Sequence, residues 1–201
     1  MKTKYITYKI NTLFYNNSLI VVNKMLIGLI SDTHIPDRAN KIPKKVIETF
    51  NEVDLILHAG DITDPEVIKE LEKISPTIAV EGNMDRYSDL TLPKSKVIKV
   101  ENTKIGIIHG EVYPRGDLQQ LFYLARQLNV NILVSGHSHI ASIDSVEDVL
   151  LVNPGSPTSP RLSDPSVMLM ELKDGNVDIE VVKVGNPTCN ALNYFKNERG
   201  D

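Results

Sequence analysis

From Met25 onward, short apolar runs too brief for helices alternate with amphipathic stretches. That alternation restricts the chain to a βα-type fold whose strands are buried on both faces. The runs are Met25–Ile30, Asp54–Leu57, Thr77–Val80, Ile105–Ile108 and Ile132–Val134. Between them, Pro43 suits the first turn of a helix through about Phe50, and Asp64-Pro65 reads as an N-cap with proline at N1 of a helix to about Lys73. A third helix is expected over about Asp117–Leu128, where Leu118, Leu121, Phe122, Ala125 and Leu128 share one face. Further on, Ile140–Val146, Val149–Val152, Val167–Leu172 and Val177–Val184 read as strands joined by short turns, including Asp174-Gly175, and this half is expected to be antiparallel. The pattern adds up to one α/β domain of two packed sheets flanked by helices, without internal repeats.

Composition narrows the function classes. With 22 Lys plus Arg against 26 Asp plus Glu, no broad basic surface is available for non-specific nucleic-acid binding. A lone cysteine, Cys189, excludes an intramolecular disulfide and suits a reducing cytoplasm, the expected location. Leu19-Ile20-Val21-Val22 is far short of the roughly 7–15 apolar residues of a secretory signal, so neither targeting nor membrane insertion is expected. Residues 25–185 read as the folded domain, 186–201 as a tail, and 1–24 as an extension that is poorly ordered or an artefact of start-site choice, since Met25 opens the first strand.

Five clusters of ligand-type residues follow the predicted strands: Asp32-Thr33-His34, Gly60-Asp61, Gly82-Asn83-Met84-Asp85, His109-Gly110 and Gly136-His137-Ser138-His139. Their leading residues lie 29, 22, 26 and 28 positions apart, about one strand plus crossover each, so strand ends can bring them together. Within extended segments, residues i and i+2 share a side, which makes Asp32 with His34 and His137 with His139 expected chelating pairs. The flanking glycines at 60, 82, 110 and 136 are expected to let the backbone turn sharply and approach a bound anion without a Cβ in the way. Four of the five histidines stand at these strand exits, whereas His58 lies inside an apolar run and reads as a hydrogen-bonded supporting residue. Imidazole, carboxylate and one amide oxygen without thiolate suit Mn²⁺, Fe, Co²⁺, Ni²⁺ or Zn²⁺.

The succession D-x-H, G-D, G-N-x-D, H-G and G-H-x-H resembles the signature of calcineurin-like metallophosphoesterases over about residues 25–185. The compact length and Asn153-Pro154-Gly155-Ser156 resemble its small prokaryotic phosphodiesterase branch, related to the metal-site-degenerate retromer subunit. The resemblance implies a four-layer α/β/β/α sandwich with mixed sheets and two divalent metal ions, manganese first among the candidates. It places Asp32, His34, Asp61 and His139 around one ion and Asp61, Asn83, His109 and His137 around the other, with Asp61 bridging. Asp61, Asn83 and His109 are then the residues expected to act in catalysis. The implied reaction is phosphate-ester hydrolysis of a small substrate, most consistent with a phosphodiesterase, by a hydroxide bridging two ions roughly 3.5–4 Å apart.

At Met84 the chain departs from the family, in which many members carry histidine to help protonate the leaving group. A thioether donates no proton, so slow turnover of unactivated alkyl esters is expected; Asp85, which would orient that histidine, is expected with His58 to support the site from behind the ligands, without a defined partner. The rival reading is a catalytically weak or inactive scaffold of the same fold, which has no need for so complete a ligand set. Arg38, Arg86, Tyr113, Arg115 and Arg161 lie near the motif loops as candidate phosphate contacts, and homo-oligomerisation stays open.

Overall fold

The computed structural model describes residues 12–15, 18–21, 24–100 and 102–186; the expected tail beyond 186 and most of the expected extension lie outside the described residues. Within that extension, Thr12–Tyr15 (β1) and Ser18–Val21 (β2) pair as an antiparallel hairpin. Lys24–Ile30 (β3), helix Lys44–Thr49 (α1), Leu55–His58 (β4), helix Pro65–Glu72 (α2) and Thr77–Ala79 (β5) follow in βαβαβ order. A 3₁₀ turn at Asp85–Tyr87 then leads to Ser95–Val100 (β6), Thr103–Ile108 (β7), helix Leu118–Leu128 (α3), Ile132–Val134 (β8), Ala141–Val146 (β9), Val149–Pro154 (β10), Ser166–Lys173 (β11) and Asn176–Lys183 (β12).

Two five-stranded mixed sheets result, ordered β6-β7-β8-β10-β9 and β12-β11-β3-β4-β5. Strands β3, β4 and β5 are parallel, as are β7, β8 and β10. The layers follow from strand alternation. Ile27, Leu29, Leu55 and Leu57 face one way and pack with Ile105, Ile107, Val134 and Met168 in a core between the sheets. Ile30 and Ile56, one residue out of phase, join Val46, Phe50, Val67 and Leu71 of α1 and α2. Leu133 and Leu151 of the other sheet join Leu121, Phe122 and Ala125 of α3. Three cores separate four layers, in the order helices, sheet, sheet, helix.

Local signals act as expected at the helices: Asp64 accepts from Glu66 N–H with Pro65 at the first position, and Asp117 accepts from Gln120 N–H. Two expectations are corrected. The second half is not one antiparallel unit, because β10 joins β8 in parallel while β11 pairs antiparallel with β3, so these strands complete both sheets. Nor does each ligand cluster follow a crossover helix. Between Asn83 and His109 the chain passes through the 3₁₀ turn and the antiparallel β6–β7 hairpin, changing sheets on the way.

Candidate metal centre

The loops leaving β3, β4 and β5 converge with those leaving β7 and β8 at one edge of the sandwich, so both sheets contribute donors. Asp32, His34, Asp61 and His139 are all buried, and their donor atoms lie within 4.8 Å of one another. His139 Nε2 is 3.2 Å from Asp32 Oδ1, and His34 Nε2 is 3.3 Å from His139 Nε2 and 3.5 Å from Asp61 Oδ2. Beside them, His109 Nε2 is 3.3 Å from the same Asp61 Oδ2 and 3.2 Å from Asn83 Oδ1, and His137 Nδ1 is 3.1 Å from Asn83 Oδ1. An ion about 2.1 Å from each donor would set tetrahedral or octahedral ligands about 3.0–3.4 Å apart. Most of these spacings fall in or close to that range, so the side chains suit metal binding.

Each donor is aimed by the groups behind it. His109 Nδ1–H donates to Ala59 O at 2.8 Å and His139 Nδ1–H donates to Ser159 O, so in the neutral rings Nε2 carries the lone pair that faces the centre. Asp61 Oδ1 accepts from Met84 N–H at 2.8 Å, which leaves Oδ2 facing His34 and His109. Asp32 accepts from Ser31 Oγ–H and from His137 N–H. Burial opposes charge on both carboxylates, but the imidazoles and these donors outweigh it and hold Asp32 and Asp61 below the usual carboxylate range. Burial likewise opposes charge on His109, yet its bond to Asp61 and the charges of Asp32 and Asp61 push it up to about 9. Cation binding must therefore displace a proton there. Burial, with His109 and Arg115 nearby, pushes His137 down.

The expected pairing by extended geometry is corrected. Asp32, His34, Asp61, His137 and His139 have φ of 53°, 44°, 56°, 67° and 61°, a left-handed backbone that costs non-glycine residues roughly 1–2 kcal/mol each. Asp32 and His34 still meet, but His137 and His139 part: His139 joins Asp32 and His34, whereas His137 turns to Asn83. The flanking glycines meet two demands: Gly60 and Gly110 turn the chain at φ of 90° and 80°, as expected, and Gly82 and Gly136 allow close packing. A Cβ on Gly82 would sit 2.3 Å from both Asp61 N and Oδ1, and one on Gly136 would sit 1.9 Å from Ser31 Oγ.

Asp85 supports the site, and the structure supplies its partners. Its buried carboxylate accepts from the N–H groups of Asp61, Ile62, Thr63 and Gly82 at 2.7–2.9 Å, tying the β4 and β5 exits together. Burial pushes this carboxyl up while the amide bonds pull it back. Ser31 and Thr158 are not marked by the sequence reading, and Asn153 and Ser156 enter it only through the resemblance; in the structure Asn153 Nδ2 donates to Gly136 O, Ser156 Oγ–H to Asp32 O and Thr158 Oγ1–H to Thr33 O. Ser31 adjoins the first motif, and Asn153 and Ser156 bound the Asn153–Ser156 segment, whereas no motif marks Thr158. His58 stands behind the site, its Nε2 3.1 Å from Thr33 Oγ1. Among the arginines, Arg38, Arg115 and Arg161 line the metal cleft, whereas Arg86 is paired with Glu81 and Glu111 and borders the adjoining cleft.

The family model for the calcineurin-like phosphoesterase superfamily domain matches residues 25–175. The chain belongs to that superfamily. It is 52% identical over 170 residues to a probable metallophosphoesterase of Methanothermobacter thermautotrophicus, covering 85% of this chain and 99% of that protein. Among solved structures, Vps29 of Entamoeba histolytica complexed with Zn²⁺ superposes with a TM-score of 0.65 at 32% identity, covering 80% of this chain and 100% of that one. A novel archaeal phosphodiesterase superposes with a TM-score of 0.60 at 26% identity, covering 79% and 100%. A metallophosphoesterase with a buried cluster of metal-type donors is thus the common ground of sequence, fold and site. No helix among the described residues is long and apolar enough to cross a membrane.

Proposed function

We propose that this metallophosphoesterase is a dinuclear phosphodiesterase. The reading rests on one atom, Asp61 Oδ2, which faces His34 Nε2 at 3.5 Å on one side and His109 Nε2 at 3.3 Å on the other. In this reading Asp32, His34, Asp61 and His139 hold one ion, and Asp61, Asn83, His109 and His137 hold the second. Bound there, divalent ions supply Lewis acidity toward the phosphate oxygens and lower the pKa of water. The donor chemistry suits manganese, with Fe, Co, Ni and Zn as alternatives, and the Zn²⁺ complex of the Entamoeba relative supports a transition metal.

The chain's own residues orient the centre. The Met84 amide fixes Asp61, the Ala59 carbonyl fixes the His109 tautomer, and Asp85 locks the loops that carry Asp61 and Asn83. Met84 lines the cleft without a proton to give, so the leaving group departs unprotonated from this side. The likeness to an archaeal phosphodiesterase supports diesters as the substrate class. The complete donor set favours catalysis over a scaffold role.

The test is a panel of metal-stripped protein reloaded with each ion and assayed on bis(p-nitrophenyl) phosphate, p-nitrophenyl phosphate and an alkyl phosphodiester. Aryl diester turnover is expected to lead and to need the ion. Asp61→Asn should cut it by at least about 100-fold while the circular dichroism spectrum is kept. Metal-independent turnover, or equal rates on aryl and alkyl esters, would overturn the reading.

A further inference from the structure

Five arginines fall among the described residues, and two of them are neutralised: Arg86 by Glu81 and Glu111, and Arg126 by Asp148. Among the described residues no ion pair engages the other three, Arg38, Arg115 and Arg161, and all three line the metal cleft, whose volume is about 310 Å³. The only other acidic or basic side chain on that wall apart from the metal donors is Asp37, so the rim carries a surplus of about two positive charges. The adjoining cleft differs: Glu81 and Glu111 there balance Arg86 and Lys94. In a chain with a net charge of −4, three unpaired arginines gathered in the metal cleft call for an anionic occupant.

The scissile diester does not meet that need. With Asp32 and Asp61 ionised, two divalent ions leave a surplus of about two charges, which the attacking hydroxide and a singly charged diester cancel. The arginine surplus remains, and it matches the roughly −1.5 to −2 of a phosphomonoester. Guanidinium forks also suit phosphate oxygens better than any neutral group does.

We propose that the substrate carries a second phosphate beside the scissile diester, held by Arg38, Arg115 and Arg161. This inference rests on the phosphodiesterase reading, and it deepens that reading by naming the substrate class. The second phosphate binds on the arginine side of the centre, away from the neutral Arg86 cleft.

Calorimetric titration of the metal-loaded full chain tests it with 1,3-propanediol bisphosphate against propyl phosphate, and thymidine 3′,5′-bisphosphate against thymidine 5′-monophosphate. Both bisphosphates are expected to bind at least about tenfold more tightly than their partners, less so at high salt. Replacing the three arginines by glutamine should erase the difference. All three are exposed, so the fold should survive, and Arg115→Lys should retain part of the preference. The kinetic counterpart is the ratio of kcat/KM for a 5′-phosphorylated thymidine dinucleotide to that for its unphosphorylated form, again expected near tenfold or more. Equal binding within each pair, or a gain for the thymidine bisphosphate alone, overturns the inference. Bisphosphate selectivity without hydrolysis of either dinucleotide supports the phosphate site and counts instead against the phosphodiesterase reading.

Discussion

His58 is fully buried at the end of β4, and its Nδ1 has no hydrogen-bond partner among the described residues. Burial pushes this imidazole down to about 3. Its folded value thus lies below the unfolded value of about 6.5, and the unfolded chain takes up the proton first as pH falls. The stability this neutral ring contributes is present above about pH 6.5 and is lost as pH drops toward 3, by at most about 1.4 kcal/mol per pH unit. Cations in the adjoining centre would repel the proton further, which keeps the sign the same. Urea denaturation of the metal-free protein at pH 4–6.5 should therefore show a steep acid limb that His58→Gln flattens. An unchanged slope would assign the acid sensitivity to other groups. The assignment of His58 to a supporting role was legible because the residue stands inside an apolar run. The supporting place of Asp85 is legible from its position in G-N-x-D, but its four amide partners are not, because they come from two loops that only the fold brings together.

At the scale of elements, the site depends on how tightly the strand exits pack. Gly82 follows β5 where a Cβ would strike the Asp61 backbone and carboxylate at 2.3 Å, and neither can yield without moving the shared oxygen. Gly82→Ala should destabilise the fold by about 1–3 kcal/mol and weaken metal binding. Gly185→Ala meets Pro165 at an ordinary 3.5–3.6 Å and should stay within about 0.5 kcal/mol. Urea midpoints and metal titrations of the two variants compare them directly, and equal behaviour would refute the packing argument. Elements of this kind were legible to different degrees. Strands β3, β4, β7 and β8 announce themselves as continuous apolar runs because both of their faces are covered. Ser95–Val100 went unseen because, at the sheet edge, only Ile98 is buried and Lys96 and Lys99 break the pattern. Which sheet a strand joins was equally hidden, since an apolar run carries no mark of its neighbour. The same limit separates two readings of His137 and His139: spacing in an extended segment pairs them, the resemblance divides them, and the left-handed backbone sets His139 beside Asp32 and His137 beside Asn83.

For the whole molecule, the donors divide between the two sheets, with Asp32, Asp61 and Asn83 beyond β3, β4 and β5 and His109, His137 and His139 beyond β7 and β8. Between the sheets lies an apolar core without covalent links, so ions seated across this edge would pin one sheet to the other. Ligand that binds only the folded state adds about 2.7 kcal/mol at 100 times its dissociation constant, or about 5 kcal/mol for two independent ions. For a chain of this size that corresponds to a rise in Tm of roughly 10–20 °C. Thermal unfolding with Mn²⁺ against EDTA should show such a gap, and His139→Ala, which removes a donor of one ion, should close part of it. Hydrogen exchange should place the gain at the strand ends that bear the ligands, leaving the opposite edge of both sheets unaffected. A Tm indifferent to the ion would mean that the gathered imidazoles and carboxylates do not act as one centre, and the catalytic reading would fall with it.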